Sequence, residues 1–187
     1  PLLQRPDDGE VMHNKFLIID VDDPAISKVI TGSANFTEGS LSEDYNNVVI
    51  VEDQSLALAY QMEFEEMWGS NGDFPNPSNA KFGDKKEDNT PHFFNIGGIS
   101  VESYFSPSDG TSAKMIDALE TADYDINFAI LTFIRNELGE AVIDAHDQGI
   151  EVKGIIENIL YFGSYIWVIS FPKVLVFLPG FIYYVLQ

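Results

Sequence analysis

Cysteine is absent from all 187 residues, so neither a disulfide staple nor a thiolate zinc centre holds this chain together. The redox compartment stays open. Basic residues are scarce: ten Lys and Arg against 30 Asp and Glu leave a formal charge of -20 at pH 7. Such a surface argues against broad attraction to DNA or to anionic lipid, although a local cationic pocket can still hold one phosphate. Histidine is scarcer still, with only His13, His92 and His146 to consider as acid/base groups. An initiating Met is lacking. Pro1 leads directly into structured-looking sequence, so the chain reads as an internal fragment, and a missing leader carries no information about secretion.

What is present suffices for a core. The 45% apolar content supports one ordinary domain or parts of two. Charge is unevenly placed, because all 30 acidic residues and nine of the ten basic ones precede residue 159. Residues 159–187 form an almost continuous apolar and aromatic run, broken by Pro172, Lys173, Pro179 and Gly180. It is long enough to span a bilayer, yet Lys173 falls near its middle, where a charge is costly. Three readings stay open: sequence foreign to the natural chain, a membrane-associated segment, or buried strands.

The stretch that organises the rest is residues 11–37. Residues 11–20 predict a strand, 29–31 a second, and Gly32-Ser33-Ala34-Asn35 a small-residue turn after it. Alternation in a strand puts His13, Lys15 and Leu17 on one face and Met12, Phe16 and Ile18 on the other, where they can be buried. Asp7-Asp8 and Asp22-Asp23 sit beside Pro or Gly and read as turn residues rather than a metal site. Residues 39–43 read as polar loop and 46–51 as a third strand. A helix over 54–68 follows, with Asp53 as N-cap, Gly69 beyond its end, and Leu56, Tyr60, Phe64 and Met67 as a core-facing stripe.

Residues 69–98 lose all periodicity and read as a connector, with His92 an ordinary loop histidine. A strand at 99–105 opens a second unit. A helix over 111–122 with Met115, Ile116 and Leu119 on one side follows, then a buried strand at 126–131 and a helix capped by Asn136 and closed by Gly149. Its face is Leu138, Val142 and Ala145, with His146 on its polar side; a strand at 150–156 comes last. That order suits a sheet with parallel members covered by helices.

His13-x-Lys15, then Asp20, then Gly32-Ser33-x-Asn35 closely resembles the signature of the phospholipase D superfamily. The resemblance implies an α/β fold of mixed sheets flanked by helices, present as two incomplete repeats. Residues 1–72 would be the C-terminal half of one repeat, 73–98 a linker, and 99–158 the N-terminal half of the next, including Phe105-Ser106-Pro107 and Gly149-Ile150-Glu151-Val152. It also implies phosphodiester chemistry through a phosphohistidine, with no metal or other cofactor. His13 would be nucleophile or acid/base, and Lys15, Ser33 and Asn35 would bind phosphate oxygens. Asp20 and Gly32 would give structural support. An acid that orients the histidine often precedes the strand Asn; here Tyr45 stands before Asn46, with Asp44 one further back.

Two such motifs face each other in this family, and one is absent from this chain. The second His-x-Lys would come from missing sequence or a partner chain, and this chain alone is expected to turn over little or no substrate. The substrate would be a phospholipid, with membrane contact through 159–187 if that run is genuine, or a nucleic acid, as in the endonucleases of the superfamily. The rival reading is a non-catalytic structural or interaction module.

Overall fold

The computed structural model describes residues 1–6, 11–133 and 135–157, and the backbone of Val176 and Phe177. The turn residues Asp7-Asp8 lie outside the described residues, as does the run 159–187 apart from those two positions. The chain divides into two compact units, Pro1–Thr111 and a second beginning at Ser112.

In the first unit an antiparallel sheet runs in the order β1 (Phe16–Ile19), β2 (Lys28–Gly32), β3 (Val48–Val51). Register places Ile18 beside Val29 and Val29 beside Val51, so these three share the face that packs on the helix α2 (Gln54–Trp68). Asp53 caps α2 by accepting from the Leu56 amide at 2.9 Å, and Gly69 ends it at φ 76°, both as the sequence predicts. The buried side of α2 is Leu56, Ala57, Ala59 and Glu63. The expected stripe is therefore corrected in part: Phe64 is exposed and stacks on Trp68 at 5.3 Å, while the small alanines let the sheet approach. The other face of the sheet leaves Leu17, Ile19, Val48 and Ile50 exposed.

Between β1 and β2 the chain turns at Asp20, whose φ of 48° is one that Asp tolerates better than most residues; its carbonyl accepts from the Asp23 amide at 3.0 Å. The polar loop expected at 39–43 contains a short helix, α1 (Glu38–Ser42), started by Thr37.

The connector expected over 73–98 is not free chain. The Asn76 amide donates to the Trp68 carbonyl, the Lys81 amide to the Glu66 carbonyl, and the Glu87 amide to the Glu66 carboxylate at 3.0 Å, so the segment is laced along α2. It ends in a hairpin, β4 (Phe93–Ile96) and β5 (Ile99–Glu102), turned by Gly97 and Gly98 at φ 59° and 85°. Phe94 is buried in the same core as Leu56, with Ile96 and Val101 packed against it. The strand expected to open the second unit thus belongs to the first, because its apolar face completes that core.

In the second unit α3 (Thr111–Leu119) leads to β6 (Asp125–Ile130), then α4 (Asn136–Asp147) and β7 (Glu151–Ile156), with β6 and β7 parallel as expected. The backbone of β8 (Val176–Phe177) pairs parallel with β7. Ile126, Val142, Ala145 and Val152 form the core. Three details differ: β6 is buried on one face only, Met115 is exposed, and Arg135 rather than Asn136 occupies the N-cap of α4. The architecture is α/β, with two small antiparallel sheets and one parallel sheet among helices; no described sheet mixes the two directions.

Candidate active site

Strand β2 is the spine of the site. At its end Gly32 has φ 147°, and a Cβ there would lie 2.2 Å from the Asn47 carbonyl oxygen, so only glycine lets β3 approach this closely. The next residue uses that proximity: the Ser33 amide donates to the same carbonyl at 3.1 Å. One residue before the glycine, the Thr31 hydroxyl donates to the Lys15 carbonyl at 3.0 Å. Neighbouring residues of one strand therefore hold both the Lys15 backbone and Ser33.

His13 and Lys15 do not lie in the strand expected for them. The ladder begins at Phe16, and residues 11–15 lie outside it. His13 is exposed and Lys15 half-buried, with its ammonium donating to the His13 carbonyl at 2.7 Å. Partial burial lowers the Lys15 pKa below the usual lysine value. Met12, expected inside, is exposed, since no sheet neighbour covers this segment.

Ser33 and Asn35 flank the buried Ala34 and are themselves exposed. The Ser33 hydroxyl donates to Asn46 Oδ1 at 2.8 Å and accepts from the Asn47 amide at 3.0 Å. Asn35 is held by its backbone, whose amide donates to Ser40 Oγ at 3.0 Å and leaves the carboxamide at the surface. Asn46 Nδ2 donates to both Oγ and the carbonyl of Ser40, at 3.0 Å each. Ser40, buried in α1, thus ties the Asn35 turn to the start of β3. Tyr45 projects fully into solvent. Asp20 contributes its backbone turn.

Behind the motif lies a buried charge pair that the sequence reading missed. Glu63 on α2 is 1% exposed, and its Oε1 accepts from Lys86 Nζ at 2.5 Å and from Asn14 Nδ2 at 3.1 Å. Lys86 comes from the segment read as a connector; its ammonium also donates to the Ser106 carbonyl at 3.3 Å and lies over the Phe105 ring. Burial pushes the Glu63 pKa up, against the Lys86 charge. One signal was available: Glu63 stands seven residues after Leu56, on the helix face that carries the core.

His92 belongs to a second cluster, which shares Asp109 as a charged neighbour with Glu63. Its Nδ1 faces the Ser103 carbonyl at 2.9 Å and its Nε2 faces Asp88 Oδ1 at 2.8 Å, with Asp109 Oδ2 3.9 Å from Nδ1 and Tyr104 stacked on the ring. Asp88, His92 and Asp109 are close enough to hold a cation. Both ring nitrogens, however, face acceptors, which suits an imidazolium donating twice and not a ligand offering a lone pair. Burial alone would lower the His92 pKa, but the Ser103 carbonyl and the two carboxylates hold it above the ordinary value. His146 faces Asp147 near the end of α4.

Chemically, an imidazole, an ammonium, a hydroxyl and a carboxamide are each able to hydrogen-bond a phosphoryl oxygen. Residues 2–68 match the family described as the phospholipase D-like domain of cardiolipin synthase. The chain is 43% identical to a phospholipase D of Rickettsia conorii over 33% of this chain and 28% of that protein. It is 37% identical to the mitochondrial cardiolipin hydrolase of Xenopus tropicalis over 30% of this chain and 25% of that protein. The corresponding Drosophila melanogaster protein is also 37% identical, over 31% of this chain and 29% of its own length. The chain thus spans little more than a quarter of the curated relatives it matches.

Proposed function

From the premise that the chain belongs, through residues 2–68, to the phospholipase D superfamily, we propose that its parent protein cleaves phosphodiesters through a phosphohistidine at His13. The neutral imidazole attacks phosphorus, a P–N bond forms and the bond to the leaving alcohol breaks. A second, protonated imidazole gives its proton to the departing oxygen. It then takes a proton from water, which attacks phosphorus and breaks the P–N bond, restoring His13. Lys15 and Asn35 neutralise the non-bridging oxygens, and Ser33 adds its hydroxyl once it exchanges a present partner for phosphate. No metal or other cofactor takes part.

The second His-x-Lys motif comes from elsewhere in the parent protein or from a partner chain. The substrate is a phospholipid, in keeping with relatives named cardiolipin hydrolase and phospholipase D. The deficit of basic residues weighs against a nucleic acid as substrate. The observation that supports the reading is that Thr31 and Ser33, on either side of Gly32, hold the Lys15 backbone, two residues past the exposed His13, and the start of β3 at one strand end.

One observation favours a non-catalytic module: the Lys15 ammonium and the Ser33 hydroxyl are already engaged within the chain, and Tyr45 stands where an orienting acid is common in the family. Trapping decides between the two. Brief incubation of the full-length parent protein with a phosphorus-32 phosphodiester should leave acid-labile label on His13, lost in His13→Ala. Absence of label, or label that survives that substitution, rejects the role assigned to His13.

A further inference from the structure

We infer that Glu63 and Lys86 are positioning residues for the reactive pair, acting through Asn14; the inference rests on reading His13 and Lys15 as phosphate-binding groups. Residues 11–15 precede the β1 ladder, so among the described residues no strand partner fixes the peptide that carries His13. Among the described residues two side-chain hydrogen bonds tie the motif to the rest of the unit, one from Thr31 to the Lys15 carbonyl and one from Asn14 to Glu63. Asn14 stands between His13 and Lys15, so each of its two peptide bonds is shared with one of them. Holding the Asn14 carboxamide at Glu63 therefore restricts the backbone that carries both His13 and Lys15.

Stability does not account for the pair. Removing two charges from water costs more than a well-packed apolar pair of similar volume, and Glu63 and the Lys86 side chain are only 2% and 4% exposed. What an apolar pair cannot supply is an acceptor aimed at Asn14. Lys86 holds Glu63 in the state and orientation that present Oε1 to that donor, and the Ser106 carbonyl in turn helps fix the Lys86 ammonium.

The test separates acceptor geometry from packing. In the 187-residue chain, Glu63→Leu with Lys86→Met replaces the pair by apolar groups, whereas Glu63→Gln with Lys86→Met keeps a carbonyl acceptor for Asn14. Inorganic phosphate is titrated against the imidazole nitrogen resonances of His13, and amide line widths are followed over residues 12–16. The Leu/Met variant should bind phosphate about tenfold more weakly than wild type, the factor carried by one lost hydrogen bond to a charged group, and should broaden 12–16 while its thermal midpoint holds. The Gln/Met variant should recover most of the affinity. Asn14→Ala, which leaves the ion pair in place, should reproduce the loss and add nothing in the Leu/Met background; it keeps the test open if Leu/Met fails to fold. Phosphate affinity unchanged in Leu/Met or in Asn14→Ala overturns the inference. If wild type shows no phosphate response at His13, the phosphate-binding reading fails instead, and line widths alone decide positioning: broadening in Asn14→Ala supports it and sharp lines overturn it.

Discussion

Lys86→Met puts the buried pair to its most direct test, because the loss can be bounded from both sides. Met keeps the volume and removes the ammonium, leaving Glu63 in the interior with Asn14 as its donor. If the carboxylate stays ionised, an uncompensated buried charge costs about 3–5 kcal/mol. It has an escape, which is to take up a proton. From an unfolded pKa of about 4.3, and at about 1.36 kcal/mol per pH unit, protonation costs roughly 3.7 kcal/mol at pH 7 and roughly 1 kcal/mol at pH 5. The cheaper route wins, so the variant should be destabilised by about 4 kcal/mol at neutral pH and only about 1 kcal/mol near pH 5. The sign follows from linkage. Burial already raises the Glu63 pKa, removing Lys86 raises it further, and a folded state that binds the extra proton loses stability as pH rises. Urea unfolding reports this through Trp68, five residues along α2 and stacked on Phe64, in a Trp167→Phe background. Adding Glu63→Gln should restore most of the loss at pH 7. Equal destabilisation at both pH values, or a loss below about 1 kcal/mol at pH 7, would mean that Glu63 finds another partner or water and would refute the reasoning.

Three further outcomes are expected. Gly32→Ala places a Cβ 2.2 Å from the Asn47 oxygen at φ 147°, and should cost at least about 1–3 kcal/mol in denaturant unfolding while shifting the Ser33 and Asn47 amide resonances. Ser40→Ala strands the Asn35 amide and takes one of two Ser40 acceptors from Asn46 Nδ2, and should cost about 1–3 kcal/mol and speed hydrogen exchange at Asn35. His92 has a raised pKa, so its contribution to stability should be complete below the unfolded value of about 6.5 and disappear as pH rises through the folded value. Stability measured across that window should flatten in His92→Gln, and an unchanged slope would assign the dependence to another group.

Local signals made much of the fold legible. Asp53 and Gly69 mark both ends of α2 because a capping carboxylate and a left-handed glycine act within one turn of chain. The β6–α4–β7 unit was equally readable from its period changes. The miss at Gly97-Gly98 was avoidable, since two glycines between Phe93–Ile96 and Ile99–Glu102 are a hairpin signal. The charged run at 84–88 misled for a different reason. Composition places Lys86 in solvent, and only the tertiary fold brings it to a carboxylate on the inner face of α2. His13, Lys15, Ser33 and Asn35 were named from their pattern, but their anchors were not, because Ser40 and Glu63 act from other elements.

Those anchors share a property that explains the shape of the site. Thr31 holds the Lys15 carbonyl, Glu63 holds the Asn14 side chain, and Ser40 holds the Asn35 amide; none of these three bonds is made to the His13 ring or the Asn35 carboxamide. The chain is fixed through atoms with no part in phosphate chemistry, which leaves the imidazole and carboxamide facing water. Fixing the backbone in advance lowers the ordering cost of binding, since only side-chain rotamers remain to be set when phosphate arrives. It also explains why a costly buried charge and a glycine at φ 147° lie directly behind the motif, within the first unit. Lys15 is the exception. Its ammonium rests on the His13 carbonyl, so phosphate must draw it away from a hydrogen bond of 2.7 Å, and that exchange is the one rearrangement of a cation that phosphate binding at this half-site demands.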